Sequence, residues 1–163
     1  MKLPMKFRTL ALGTVLALSS SAIADVTGWL NWRGPNQNGT SNESNLPDTW
    51  APGSGSQLWK YDLNGAGAPV IANGRLFIFG YGQFGDDPAE DVQETLLCLN
   101  ADTGKKIWEK RFPDYISDVV YNRYGVGSPV IDPETGNVYL QTSNGRCVAF
   151  TPDGKPVWEI SLI

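Results

Sequence analysis

Histidine is absent from this sequence of 163 residues, and cysteine occurs only twice. The lack of histidine excludes Ser-His and Cys-His nucleophile systems and c-type haem attachment, and it removes a ligand that most zinc sites use. Long apolar runs are also scarce. The longest, residues 10–18, is too short to span a bilayer as a permanent helix.

The two cysteines, Cys98 and Cys147, are too few to form a disulfide framework in a chain of this length. Two interpretations remain: small buried hydrophobic residues in equivalent strands, or a single disulfide bridge. No Cys-x-x-Cys pair indicates a metal site.

The N-terminus has the layout of a bacterial secretory signal peptide. Basic residues precede the apolar run, and small residues end it at Ala22-Ile23-Ala24. We expect residues 1–24 to be removed and the mature chain to begin at Asp25, in the periplasm or outside the cell; a membrane anchor is the weaker alternative.

Basic charge is also in short supply. Removing residues 1–24 takes away three basic residues and no acidic one, which changes the formal net charge from −4 to −7. An acidic chain without a basic cluster argues against nucleic acid and anionic membranes as partners.

What the sequence does contain is a repeat. An irregular lead-in, residues 25–56, carries Trp29, Trp32 and Trp50 and is predicted to be pinned by them. Beyond it, Trp59, Trp108 and Trp158 recur at intervals of 49 and 50 residues.

Each repeat unit is predicted to hold four short strands separated by turn residues. Residues 57–63 form an orphan strand before the first unit. The strands of the first unit (64–112) are 69–72, 75–79, 95–100 and 106–112, and those of the second unit (113–163) are 129–132, 137–142, 146–150 and 156–162.

Four antiparallel strands at a period near fifty are typical of a β-propeller blade. The Asn73-Gly74 and Asn144-Gly145 pairs fit tight hairpin turns. A glycine in the turn between the third and fourth strands leaves its peptide plane bare, so that an indole from a neighbouring blade can stack on it. We therefore predict an all-β partial β-propeller of about two four-stranded blades plus one orphan closing strand.

These residues resemble the pyrroloquinoline-quinone-like propeller repeat family, which includes quinoprotein alcohol dehydrogenases and the propeller lipoprotein of outer-membrane protein assembly. The docking motif of that family is Ala-x-Asp-x-x-Thr-Gly-x-x-x-Trp. Cys98 and Asn100 occupy its first two fixed positions, and the first copy retains Thr103, Gly104 and Trp108. The second copy retains Gly154 and Trp158, with Val148, Phe150 and Asp153 at the other three positions.

A closed propeller needs about four to eight blades. The resemblance therefore implies the N-terminal part of a longer protein whose remaining blades are absent, with residues 57–63 completing the last blade. Assembly of several short chains into one ring is the alternative.

In a blade, the two long segments, residues 81–94 and 111–127, lie on the same face, where a binding site is expected. The acidic residues of the first segment indicate a solvated loop rather than a calcium site, because the calcium-loop spacing is missing. The second segment carries a candidate binding face, for which packing under the next blade is the alternative; its members are Tyr115, Tyr121, Arg123 and Tyr124. Asp132 and Glu134 are interpreted as a solvated turn rather than a catalytic pair.

Three functions remain. The favoured one is an exported, non-catalytic binding or scaffold module of the cell envelope, with a protein or glycan partner and no cofactor. The second is a fragment of a quinoprotein dehydrogenase. The resemblance implies for it a quinone with calcium and adjacent cysteines, which this sequence lacks. The third is a truncated product without independent function.

Overall fold

The computed structural model describes residues 25–86, 91–113 and 125–163. Within these ranges the chain is all-β and contains no helix, and therefore no helix that could cross a membrane. Nine strands form two antiparallel sheets, which is the architecture of a partial β-propeller.

The first sheet has the order β1-β2-β3-β4-β5. Its strands are β1 (Gly28–Trp29), β2 (Val70–Ala72), β3 (Arg75–Gln83), β4 (Val92–Asn100) and β5 (Lys106–Pro113). Four of them correspond to the predicted strands of the first unit. Strand β1 was not predicted: it comes from the lead-in and pairs with β2, placing Trp29 opposite Ile71.

The second sheet has the order β6-β7-β8-β9 and consists of four strands. They are β6 (Val130–Ile131), β7 (Val138–Gln141), β8 (Arg146–Phe150) and β9 (Pro156–Ser161). Each has a predicted counterpart, and the predicted bounds of β8 agree with the observed ones.

Six residues of the long segment 81–94 lie in strands rather than in a loop. Strand β3 continues to Gln83 and β4 already begins at Val92, so that the two strands pair over nine positions. Glu94 thus lies inside a strand, although the sequence placed it in a solvated acidic loop.

Residues 57–63, predicted as an orphan strand, belong to neither sheet. The segment pairs with no strand. The nearest backbone pairing to the first sheet is one isolated bridge just after it, in which the Tyr81 amide donates to the Asn64 carbonyl at 2.8 Å. The backbones meet closely there because residue 80 is glycine: a Cβ on Gly80 would collide with the Asn64 carbonyl oxygen.

The core lies between the two sheets. Alternate side chains of β4 turn toward it, since Leu96 and Cys98 belong to the same buried cluster as Val138, Leu140 and Val148 of the second sheet. We call the contact between the two sheets the seam. Aromatic rings pack across it, with the ring centroids of Phe112 and Phe150 6.2 Å apart. The two blades therefore pack face to face, as neighbouring propeller blades do.

Among the lead-in tryptophans, Trp29 is partly buried and its ring lies against Gly34. Trp32 and Trp50 are more than 60% exposed, so they do not pin the segment as expected.

Candidate functional site

The turn between β4 and β5 is built around Asn100. Its side-chain oxygen accepts hydrogen bonds from the Thr103 amide at 2.9 Å and from the Thr103 hydroxyl at 2.8 Å. Gly104 then turns the chain with φ of +67°, a conformation that favours glycine. The turn is thus fixed by its own side chains.

The indole of Trp59 lies on this turn. Its Nε1 donates to the Ala101 carbonyl at 2.8 Å, and a Cβ on Gly104 would lie 2.6 Å from its ring. Residues 57–63 therefore attach to the first sheet through a tryptophan on a glycine turn, even without strand hydrogen bonds.

The same contact recurs one blade later. Trp108 of β5 donates from Nε1 to the Pro152 carbonyl at 2.9 Å and covers Gly154. The second turn is one residue shorter than the first, because Gly154 bonds back to Thr151, three residues earlier, whereas Gly104 bonds back to Asn100, four residues earlier.

That difference changes the assignment of the second motif. In the strand register Thr151 takes the place of Asn100, and its hydroxyl accepts from the Lys155 amide at 3.1 Å. Phe150, which the sequence spacing put there, is buried in the core instead. A single-residue deletion in the turn cannot be located from spacing alone.

Trp158 is placed differently from Trp59 and Trp108. It is 42% exposed and stacks on Tyr139 with ring centroids 5.7 Å apart. Among the described residues, no glycine turn lies beneath it.

Arg75 reinforces the Trp108 end of the seam. Its guanidinium donates to the Pro152 carbonyl at 2.5 Å and to the Asp153 carboxylate at 2.8 Å. Both acceptors belong to the turn that Trp108 covers. Arg75, from the first sheet, therefore binds the second sheet at this turn.

Glu94 holds the opposite end of the seam. It is 1% exposed, and its carboxylate accepts from the amides of Gly125 at 3.0 Å and Ser143 at 2.8 Å, and from the Ser143 hydroxyl. All these donors belong to the second blade. The sequence analysis missed this residue, although its spacing of two and four from Leu96 and Cys98 places it on the core face.

Asp132 and Glu134 form a turn, as the sequence indicated. The Thr135 hydroxyl donates to Asp132 at 2.6 Å and the Glu134 amide at 3.0 Å, and these bonds lower the pKa of Asp132. The Asp132 carboxylate therefore accepts hydrogen bonds from within its own turn.

Several predicted features lie outside the described residues. They are the signal peptide (residues 1–24), part of the acidic loop (Asp87 and Glu90) and the whole candidate binding face (Tyr115, Tyr121, Arg123 and Tyr124). In the part that the structure describes, no three His, Cys, Asp or Glu side chains cluster as metal ligands would.

The lead-in covers the outer edges of β2 and β6, the first strands of the two blades. Beyond the β1–β2 pairing, the Ile131 amide of β6 donates to the Leu30 carbonyl at 2.8 Å, and the Val26 amide donates to the Pro133 carbonyl at 3.3 Å. Residues 26–30 thus join the first strands of both blades, whose edges face the axis in a propeller.

The two cysteines are separate thiols: Cys98 lies on β4 and Cys147 on β8. The outer edges of β2 and β6 are occupied by residues 26–30.

Comparison with known proteins places the chain in a family. The family model described as outer membrane protein assembly factor BamB matches residues 49–162. No curated protein matches the chain.

Thirty-nine solved protein chains are similar to it in structure. One is a europium-containing methanol dehydrogenase, 22% identical, with a TM-score of 0.38 over 56% of this chain and 14% of that one. Another is the quinohemoprotein alcohol dehydrogenase from Comamonas testosteroni, 19% identical, with a TM-score of 0.36 over 61% and 13% of the two chains. The chain spans about one seventh of the length of these two proteins.

The matched region contains both blades and the segment that carries Trp59. The chain therefore belongs to the family of PQQ-like propeller repeats whose model is described as outer membrane protein assembly factor BamB.

Proposed function

We propose that this chain is part of an exported, non-catalytic binding or scaffold protein of the cell envelope, with a protein or glycan partner. The description of the matching family as an outer-membrane assembly factor agrees with such a role. The neighbouring dehydrogenases share the repeat but carry no argument about activity, because one fold serves many functions.

The observation that carries the proposal is the use of the polar side chains in the seam. Glu94 binds the second blade with three hydrogen bonds, and Arg75 binds it with two. Groups that could transfer protons or bind a charged substrate are thus engaged in holding blades together. A rigid body of this kind suits the presentation of a binding surface.

Export has a direct test. The intact mass of the protein recovered from the cell envelope should correspond to a chain beginning at Asp25. A protein that retains residues 1–24 in the cytoplasm would contradict export.

Partner binding can be tested by photo-crosslinking in living cells. A photoreactive amino acid at Asp86, exposed beyond the end of β3, probes the face of the long segments. The matched control is Asp102, exposed in the β4–β5 turn at the opposite end of the sheet. We expect a discrete adduct from position 86 and none from position 102; the absence of an adduct at both positions contradicts the proposal.

The dehydrogenase alternative predicts a different result. Purified full-length protein would be incubated with pyrroloquinoline quinone and calcium, then assayed for a new visible absorbance and for dye-linked alcohol oxidation. We expect neither. Alcohol oxidation that depends on the quinone would overturn the non-catalytic assignment.

A further inference from the structure

A pocket of about 300 Å³ lies at the end of the seam that carries the tight turns. The first sheet, the second blade and the lead-in all contribute to its lining. We call this space the seam pocket; it is bordered by Val26, Ala72, Asn73, Arg75, Pro152 and Asp153.

The position of the seam pocket keeps it accessible in a larger propeller. Further blades would pack on the outer flanks of the two sheets, whereas this pocket lies between two sheets that are already in contact. Residues of tight turns, the exposed Asn73 and Asp153, form its rim. The side chains of Arg75 and Asp153 are 32% and 69% exposed, so a ligand can reach both.

Arg75 offers a free hydrogen-bonding edge in this pocket. Its bonds to the Pro152 carbonyl and to the Asp153 carboxylate both come from Nη1. Nothing in the described part of the chain bonds to Nε or Nη2. These two nitrogens form one side of the planar guanidinium, a side that binds a carboxylate through two parallel hydrogen bonds. Holding the blades together therefore leaves one edge of this arginine available.

Apolar side chains border the same pocket. Val26 and Pro152 are partly buried and meet beside Gly136, where a Cβ would lie 3.5 Å from Val26 Cγ2 and 3.2 Å from Pro152 Cγ. Ala72 closes the pocket on the side of the first sheet. The volume is at the lower end of the range of about 300–1,000 Å³ found for small-ligand sites. Such a space suits one short apolar group.

Hydrogen-bond donors outnumber acceptors at the rim. The side-chain oxygen of Asn73 accepts from the Thr27 amide at 3.3 Å, and its NH₂ group is a further donor. Asp153 is the competing acceptor, since it shares the guanidinium of Arg75. An exposed ion pair of this kind contributes little free energy, and a guanidinium can bind one carboxylate on each edge.

We propose that the seam pocket binds a short apolar carboxylate, whose carboxylate lies on the Nε–Nη2 edge of Arg75 and whose apolar group lies between Val26 and Pro152. The carboxylate could belong to a free acid or to the C-terminal residue of a short peptide, which present the same chemistry. This inference goes beyond the proposed function, because the pocket lies at the end of the sheets opposite to position 86, where the partner is expected.

The test is calorimetric titration of the full-length protein with 4-methylpentanoate, with its uncharged amide and with N-acetyl-glycyl-leucine. We expect saturable binding of an acid and at least tenfold weaker binding of the amide. Binding of 4-methylpentanoate shows that a free acid is sufficient, whereas binding of the peptide alone identifies a C-terminal residue; both support the site. Equal binding of acid and amide, or binding of neither acid, overturns it.

Two variants test the role of the guanidinium. Arg75→Lys keeps the positive charge but cannot form two parallel bonds, and should weaken binding of the acid about tenfold. Asp153→Asn removes the competing carboxylate and should strengthen binding about threefold, which a purely structural Arg75 would not explain. Unchanged affinity in Arg75→Lys, or weaker binding in Asp153→Asn, contradicts the proposal.

A third variant keeps Arg75 intact and remains informative if Arg75→Lys fails to fold. Asn73→Asp can still accept from the Thr27 amide but repels a carboxylate, and should weaken binding about threefold. The matched control is Asn38→Asp, outside the pocket, where the side-chain oxygen likewise accepts from a backbone amide, that of Thr40. Equal affinities in these two variants overturn the site.

The outcome is separable from that of the proposed function. If neither acid binds while the adduct at position 86 still forms, the seam pocket is wrongly assigned and the binding module stands. If an acid binds but no adduct forms, the seam pocket stands and the proposed partner is wrong.

Discussion

Glu94 places a carboxylate inside the seam between the blades, where water cannot replace its hydrogen bonds. Glu94→Gln keeps the size of the side chain but turns an amide NH₂ toward a backbone amide of the second blade. We expect a loss of about 1–3 kcal/mol in the free energy of unfolding, measured by urea denaturation.

The control for this substitution is Glu134→Gln, in an exposed turn, which should stay within about 0.5 kcal/mol of the wild type. Equal losses in the two variants would show that Glu94 does not hold the blades together.

Cys98 gives a prediction about pH. Burial raises the pKa of its thiol from 9.0 to about 11, against a smaller opposing effect of Arg75. The folded chain keeps the thiol proton to a higher pH than the unfolded chain. This contribution to stability is therefore fully present below pH 9 and is lost as the pH rises toward about 11.

The measurement is the free energy of unfolding by urea, from below pH 9 to about pH 11, in a Cys147→Ala variant, which leaves Cys98 alone, and in a Cys98→Ala/Cys147→Ala variant, which removes both thiols. The stability of the first variant should fall relative to that of the second as the pH rises above 9. Parallel pH profiles of the two variants would contradict the raised pKa.

At the scale of elements, the turn between the third and fourth strands of each blade is the unit of docking. Gly154 has φ of +78° and carries the Trp108 indole, whereas Gly74 has φ of +75° and has no neighbour within 4 Å of a Cβ. Gly74→Ala should lower the free energy of unfolding by about 1–2 kcal/mol, because alanine disfavours the positive φ.

Gly154→Ala should cost about 1–3 kcal/mol more than Gly74→Ala, because its Cβ would lie 2.9 Å from the indole. Unfolding free energies from urea titration give both numbers. Equal costs would mean that the indole moves away freely and that docking adds no stability.

Strands were the most predictable elements. Runs of β-branched and aromatic residues between Asn-Gly and Thr-Gly pairs fixed where β2 to β9 begin and end within a few residues. The strand ends beyond Phe79 and before Thr95 were missed because Gly80, Gly82 and Glu94 have low strand propensity, and pairing across the sheet overrides it.

At the scale of the whole molecule, the lead-in connects the two sheets by bonding to both β2 and β6. Gly28 has φ of +142°, and a Cβ there would collide with the Ile71 carbonyl, so Gly28→Ala should detach β1 from β2. Because Leu30 bonds the Ile131 amide, hydrogen exchange at Ile131 should become faster along with a loss of stability of about 1–3 kcal/mol.

Gly55→Ala is the matched control, since nothing lies within 4 Å of a Cβ at that position. It should leave exchange at Ile131 unchanged. Unchanged exchange in Gly28→Ala would mean that the lead-in does not join the blades.

The sequence by itself determined the local part of this protein. Turn residues, strand composition and the recurrence of tryptophan near every fifty residues specify the blades, because these signals act between residues that are close along the chain. They also predicted that an indole from a neighbouring blade stacks on a glycine turn, since an exposed peptide plane and a flat indole are complementary. Trp59 and Trp108 do so, whereas no glycine turn of the described residues lies beneath Trp158.

Only the tertiary structure decided what lies between the blades. The role of Glu94 between the blades and the attachment of residues 26–30 to both sheets each join residues about 30 or more positions apart in sequence. Such contacts depend on how two sheets face each other, and a one-residue change in a turn, as at Thr151, is enough to shift which side chains meet.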